Sequence, residues 1–306
     1  MSALKGHGTD WTQERGTSDE GRRCGDVGMG RWAGPRRAKE TRQANLTGIR
    51  DALHAEWTKL RTVTGPAWLL IATVATTVAI SAAASAAVRC PSGIAFPVDT
   101  AKLSLTGIQF GQAVVAILAV LVISGEYSTG MIRTTLTAMP HRVTVLGAKA
   151  AILSGLVLAA GSLAVLGSVL TGRLILPGHG FTAARGFPPL SLADGPVLRA
   201  AAGSVLYLAL IALLSLGIAT AVREPAVAIG IVLSLLYLAP IIAPLLNQHW
   251  ERHVEQIAPT TAGLTIQATT GLRSLAISPW GGLGVLAAWA AAALLAGGLA
   301  LRLRDA

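Results

Sequence analysis

The chain has 306 residues, 52% of them hydrophobic and only 13% charged, with a mean hydropathy of +0.59. A soluble domain of this size carries about a quarter charged residues, so the composition excludes an ordinary water-soluble fold and points to an all-α, polytopic membrane protein. The net charge of +10 does not signal nucleic acid, because much of the basic charge sits in a polar N-terminal tail and the rest at the ends of apolar runs, where it sets orientation.

Residues 1–45 are polar, rich in Gly and Arg, and aperiodic. Such a stretch cannot bury enough apolar surface to order itself and reads as a disordered basic tail. It holds no signal-peptide apolar region, and Met29 opens a shorter plausible reading frame. Residues 46–65 change character. Ile49, Leu53, Trp57 and Leu60 share one helical face, with Arg50, Asp51, His54 and Lys59 elsewhere. This is the pattern of an interfacial amphipathic helix, with Trp57 at headgroup depth. Gly65-Pro66 separates it from the first long apolar run.

Residues 66–306 read as a six-span transmembrane domain. The apolar runs lie at about 66–88, 103–124, 143–170, 197–221, 226–246 and 281–301, each near the roughly 20 residues a bilayer core requires. In the first span Ala75, Ala79, Ala83 and Ala87 repeat every fourth residue, a ridge that would let another helix approach closely. In the second, Gln109 and Gln112 either line a polar path or bond to neighbouring helices. The third has Lys149 near its start, expected to reach back to the headgroups. Ala151, Gly155 and Ala159 give that span a small-residue face of its own. Residues 171–198 form a Gly/Pro-rich loop. The short Val222-Arg223-Glu224-Pro225 connection makes an antiparallel hairpin of the fourth and fifth spans. Pro240 and Pro244 should kink or end the fifth, and residues 247–280 are polar to mixed, with room for short helices.

The segment between the second and third spans differs from a plain connection. The hydrophobic run ends on Glu126. Ile132, Leu136 and Met139 then fall at i, i+4 and i+7, one side of a short helix that Pro140 stops. Such an element can touch something outside the lipid.

Six spans put both termini on one side. With that side cytoplasmic, the inner segments 46–65, 125–143, 222–225 and 302–306 carry eight basic residues in about 48. The outer segments 89–102, 171–199 and 247–280 carry seven in about 77, and the tail adds nine more on the inside. This bias favours an N-in, C-in arrangement. Cys24 and Cys90 then lie on opposite sides and are not expected to pair.

No Gly-x-x-x-x-Gly-Lys-[Ser/Thr] phosphate loop occurs, and no acid lies at mid-span to relay protons. His249 and His253 are spaced i, i+4 with Glu255 nearby, which reads as a solvated helix face rather than a metal site. No catalytic residue is assigned, and no metal or directly bound cofactor is expected.

Three stretches carry a resemblance: His54-Ala-Glu-Trp-Thr-Lys-Leu-Arg61, Gly125-Glu-Tyr-Ser-Thr-Gly-Met-Ile-Arg133, and Ser278-Pro-Trp-Gly-Gly282 with the closing Arg302-Leu-Arg-Asp305. Over residues 46–306 the chain resembles the membrane-spanning permease subunit of type-2 ABC exporters. The resemblance implies a subunit of the cell membrane that pairs with a second permease, copy or homologue, and with cytoplasmic ATPase subunits that use the ATP. It also implies that Glu56, Trp57, Lys59 and Arg61 of the interfacial helix lie in a first ATPase contact. Glu126, Tyr127, Gly130, Ile132, Arg133 and Leu136 lie in a second, coupling contact. Export rather than import comes from the same resemblance. The alternative is a non-transporting membrane anchor or immunity-type protein. Apolar spans with few polar groups suit an amphipathic or hydrophobic cargo.

Overall fold

A computed structural model describes residues 64–90, 98–128, 142–245 and 247–303. The interfacial helix expected over 46–65 therefore lies almost wholly outside the described residues, as does most of the coupling segment. Nine α-helices occur in order: α1 Thr64–Ala87, α2 Thr100–Ser104, α3 Ile108–Ser128, α4 Arg142–Ile175, α5 Gly195–Val222, α6 Pro225–Ile242, α7 Gln248–Ile257, α8 Pro259–Leu264 and α9 Pro279–Leu303, among the described residues. Five short 3-10 turns lie between them, and no strand occurs among the described residues. Six of the helices (α1, α3, α4, α5, α6 and α9) are long and apolar enough to cross a membrane. The chain is an all-α polytopic membrane protein. In hydrocarbon a helix satisfies its backbone N–H and C=O groups within itself, so an apolar sequence of this length folds this way.

The bundle is built around α5 and α3. About 61% of the apolar stretch of α5 and 56% of that of α3 are buried, against 17–33% for the other four spans. Tyr207, Leu208, Ile211, Ala212, Leu214 and Leu216 of α5 are fully enclosed. Helix α5 also meets α9 backbone to backbone. A Cβ on Gly217 would strike the Ala293 carbonyl carbon, and one on Gly297 would sit 2.8 Å from the Gly217 carbonyl oxygen. Close crossings of this kind supply dispersion contacts where lipid offers no hydrophobic driving force.

The sequence places the second span at 103–124, but a break divides it. Helix α2 stops at Ser104, residues 105–107 turn, and α3 restarts at Ile108. The cause is α1: Gly107 lies so close to Thr77 that a Cβ there would overlap the Thr77 carbonyl oxygen, and the Gly107 N–H donates to Ser81 Oγ at 3.1 Å. The face that α1 buries is therefore Thr73, Thr77, Ser81 and Ser85, not the alanine ridge. Ala75, Ala79, Ala83 and Ala87 are exposed, as are Ala151, Gly155 and Ala159 of α4. Two residues along a helix is about 200° of rotation, enough to exchange inside for outside. Two of these side chains return their hydroxyls to the backbone: Thr73 and Ser85 each donate to the carbonyl four residues back, at 2.8 Å. Lys149 departs from expectation too. It is only 4% exposed, turned into the protein rather than out to headgroups.

The fourth and fifth spans form the expected hairpin. Arg223 takes a left-handed conformation, φ 66°, and ends α5. Glu224 caps α6, its carboxylate accepting from the Val227 N–H at 2.6 Å, with Pro225 at the first helical position. Pro240 sits inside α6 two residues before its end, and a 3-10 turn over Ala243–Leu245 comes next.

The segments after the first, third and fifth spans meet at one end of the bundle. Cys90 N–H donates to the His179 carbonyl at 3.0 Å. Helix α4 runs on to Ile175, beyond the sequence estimate of 170, and the chain after it folds onto a small second core of Ala101, Leu176, Phe181 and Leu190. Phe181 and Phe187 stack edge to face there, with centroids 5.1 Å apart. Because Gly217 is pressed against the α9 backbone, Gly217→Leu is expected to lower stability by about 1–3 kcal/mol or more. Gly155→Leu, on an open face with nothing within 4 Å of a Cβ, is expected to be tolerated. Thermal unfolding of the detergent-solubilised variants measures the difference.

Candidate functional site

The connection between the fifth and sixth spans does not stay on the surface. Helix α8 and the turn after it, Thr265–Gln267, sink between α5 and α9. Thr260, Ala262, Ile266 and Gln267 are buried, and a Cβ on Gly263 would lie 2.7 Å from the Tyr207 ring. Tyr207 is the thirteenth residue of α5, roughly 18 Å along the helix, so the segment reaches well into the bundle. Pro259 starts α8 without a wasted donor.

One carboxylate fixes this re-entrant segment. Asp99 caps α2 through the Lys102 N–H at 3.0 Å. It also accepts from the Thr269 N–H at 2.5 Å, the Thr269 hydroxyl at 2.7 Å and the Thr270 N–H at 3.0 Å. Arg199 adds a second tie, donating to the Ala268 carbonyl at 2.5 Å. Burial pushes the Asp99 carboxyl upward, but the four hydrogen bonds outweigh it and hold the group below the ordinary carboxylate value.

Beneath the segment lies a cavity of about 360 Å³. Its walls come from α2 (Lys102), α3 (Gln109 and Gln112), α6 (Tyr237), α7 (Glu255), α8 (Thr260, Thr261 and Leu264) and the loop before α9. Of the polar candidates the sequence offered for a path through the spans, Gln109 and Gln112 meet here. Both line the cavity, and both are bonded to neighbouring helices. Gln112 is 1% exposed, and its Oε1 accepts the hydrogen of the Tyr207 hydroxyl. Gln109 keeps an exposed side chain while its backbone carbonyl accepts from the Tyr237 hydroxyl. Both tyrosines have thereby spent their only proton. Gln112 Nε2 makes no close hydrogen bond, but it stands beside the Tyr237 hydroxyl oxygen, whose lone pairs remain free to accept. Thr260 Oγ1 stands in the same relation to the Tyr207 hydroxyl oxygen.

Glu126 and Tyr127 lie in the last turn of α3, which ends at Ser128. Gly130, Ile132, Arg133 and Leu136 are outside the described residues, as are Glu56, Trp57, Lys59 and Arg61. Sequence reasoning overlooked Tyr237, Thr260 and Glu255 as cavity residues, and Tyr207 as the partner of Gln112. A signal was present for the tyrosines. They are two of only three in the chain, and both sit inside apolar spans rather than at the interface where tyrosine usually anchors. A buried tyrosine hydroxyl requires a partner, and Gln112 was the polar side chain within reach of the neighbouring span.

Set against known proteins, the chain matches no family model and no curated protein.

Because the Asp99 carboxylate is held below its ordinary value, its contribution to stability is complete above the unfolded carboxylate value of 3.8. It is lost as the pH falls through the folded value. Asp99→Ala, which orphans three donors on Thr269 and Thr270, is expected to cost about 1–3 kcal/mol near neutral pH. The gap from the parent protein should close under acid. Thermal unfolding of both proteins between pH 7 and pH 3 measures it.

Proposed function

We propose that the chain is the membrane-spanning permease subunit of an ATP-driven export complex in the cell membrane. A separate cytoplasmic ABC ATPase hydrolyses the ATP, and a second permease, a copy or a homologue, completes the pathway. The observation that carries this reading is the asymmetry between the two ends of the bundle. At one end three long segments are tied together by Asp99, Arg199 and the Cys90–His179 contact. At the other end α5 and α6 are joined through only Arg223 and Glu224, which leaves residues 129–141 as the longer inter-span segment there. That segment carries the apolar stripe Ile132, Leu136 and Met139, and it joins α3 to α4.

With this end cytoplasmic, in the N-in, C-in arrangement, Glu126, Tyr127, Gly130, Ile132, Arg133 and Leu136 form the ATPase contact. Glu56, Trp57, Lys59 and Arg61 of the interfacial helix flank it. A partner that changes shape on binding nucleotide would push on the segment and so on α3 and α4 together. The chain lacks a phosphate loop of its own, in keeping with a division of labour between subunits.

Affinity purification of the tagged full chain from its native membrane is expected to bring down a cytoplasmic ATPase subunit. Ile132→Asp or Gly130→Pro should reduce the recovered ATPase at least tenfold while leaving the permease in the membrane. Recovery unchanged in both variants, or an extracellular location of residues 129–141 in a cysteine-accessibility map, overturns the reading.

A further inference from the structure

We propose that a slot between α6 and α9 holds one acyl chain of a membrane phospholipid. Helices α6 and α9 both pack on α5 but not along one another. The gap they leave is an apolar recess of about 930 Å³. Its floor is Ile218 of α5. One wall is α6 from Val227 to Ile242, the other carries Trp289 of α9, and Val254 of α7 also lines it. The recess is kept open by a small residue in the α6 wall: a Cβ on Gly230 would meet nothing within 4 Å. Charge is absent from the lining. The indole N–H of Trp289 is already given to the Ile257 carbonyl at 2.9 Å, and apart from the Ser234 hydroxyl the remaining side chains are hydrocarbon.

The dimensions choose the occupant. Val227 to Ile242 is roughly 22 Å of helix. Spread over that length, the volume of about 930 Å³ leaves a section of roughly 40 Å². A helix about 10 Å across needs roughly twice that, so the slot is too narrow to take a span of a second copy. A hydrocarbon chain is narrower and needs no hydrogen-bonding partner. Water gains nothing there, because it would find almost no polar atom to bond, and a void would forfeit dispersion contacts along its whole lining. The slot opens on the lipid-facing side of α6, where Val227, Ile231 and Leu238 are exposed, so bilayer chains have direct access. A chain lying on a flat helix face touches protein on one side only. A chain in the slot touches α5, α6, α9 and α7, and dispersion attraction grows with each contact. That difference separates a bound lipid from an exchanging one. The binding is a property of the chain alone, so it stands or falls independently of the export reading.

The test uses the full-length chain in dodecyl maltoside. Gly230→Leu fills the slot from its open side and strikes no neighbour. By phosphorus assay, the purified variant is expected to carry one phospholipid fewer per chain than the parent. The chain is then washed free of lipid and titrated with dibromo-phosphatidylcholine, whose bromines quench tryptophan on contact. One version keeps Trp289 as its sole tryptophan and another keeps Trp68, which is 69% exposed on α1; the others are changed to phenylalanine. Trp289 quenching is expected to saturate near one lipid per chain and to require at least tenfold more lipid in Gly230→Leu. Trp68 quenching is expected to rise without saturating. Equal phosphorus in parent and Gly230→Leu, or Trp289 quenching that tracks Trp68, makes the slot ordinary lipid-facing surface and overturns the proposal. Saturation by dibromostearate but not by the phospholipid assigns the slot to a free single-chain amphiphile. Protection of Trp289 from both probes assigns it to protein, a second copy or another segment of this chain. Either result overturns the proposal as well.

Discussion

A half-buried carboxylate ties together the inter-span segments at one end of this bundle. Asp99 belongs to the segment after the first span, and its partners Thr269 and Thr270 precede the sixth, 170 and 171 residues away in the chain. Hydrogen bonds to an ionised acceptor are about twice as strong as neutral ones, and this acceptor receives four. Without that tie, α8 and the turn after it would be held inside the bundle by apolar packing and the weaker bonds from Arg199 and Gln267. With it, a connection that would otherwise run over the surface becomes the roof of a polar cavity. The cavity exists because the roof is fixed from outside rather than filled from within.

The arrangement beneath the roof comes from the scarcity of polar groups in the spans. Few side chains in α3, α5 and α6 carry hydrogen-bonding atoms, and the larger of them reach across to a neighbouring helix. Tyr207 reaches Gln112, and Tyr237 reaches the backbone at Gln109. Gln267 of the re-entrant turn donates to Ser204 at 3.2 Å. Unpaired polar groups in hydrocarbon are costly, so such pairs fix the register of the helices as well as their stability. Gln112 joins two such pairs, its Oε1 accepting from Tyr207 and its Nε2 facing the Tyr237 hydroxyl oxygen.

The six spans and their order were legible from apolar run length alone, because length against bilayer thickness is a strong constraint. The α5–α6 hairpin was legible from a two-residue connection, and the end of α6 from Pro240. Which face of a span looks inward was not. In α1 the alanines and the Thr/Ser set have the same fourfold spacing, and no periodicity distinguishes two small-residue faces half a turn apart. Only the approach of Gly107 decides it. The break before α3 was hidden for the same reason: it answers to a neighbouring helix, not to a local breaker. The polar cavity was half visible. The glutamines stood out as polar atoms in an apolar run, but their partners come from segments roughly 95 to 150 residues further along, beyond any local pattern. The coupling segment and the interfacial helix rest on sequence alone.

Helix α4 has 34 residues without interruption, Arg142–Ile175. At 1.5 Å per residue that is a rod of roughly 51 Å, well beyond a hydrocarbon core of about 30 Å. Its near end adjoins residues 129–141, and its far end presses on Ser104 of α2 through Gly172. Leverage comes from those proportions: rotating such a rod by some ten degrees about one tip sweeps the opposite tip through roughly 9 Å. Lys102, close to that contact in the same short helix, would be carried along at the mouth of the cavity, so a small displacement at one end of the rod is magnified at the other.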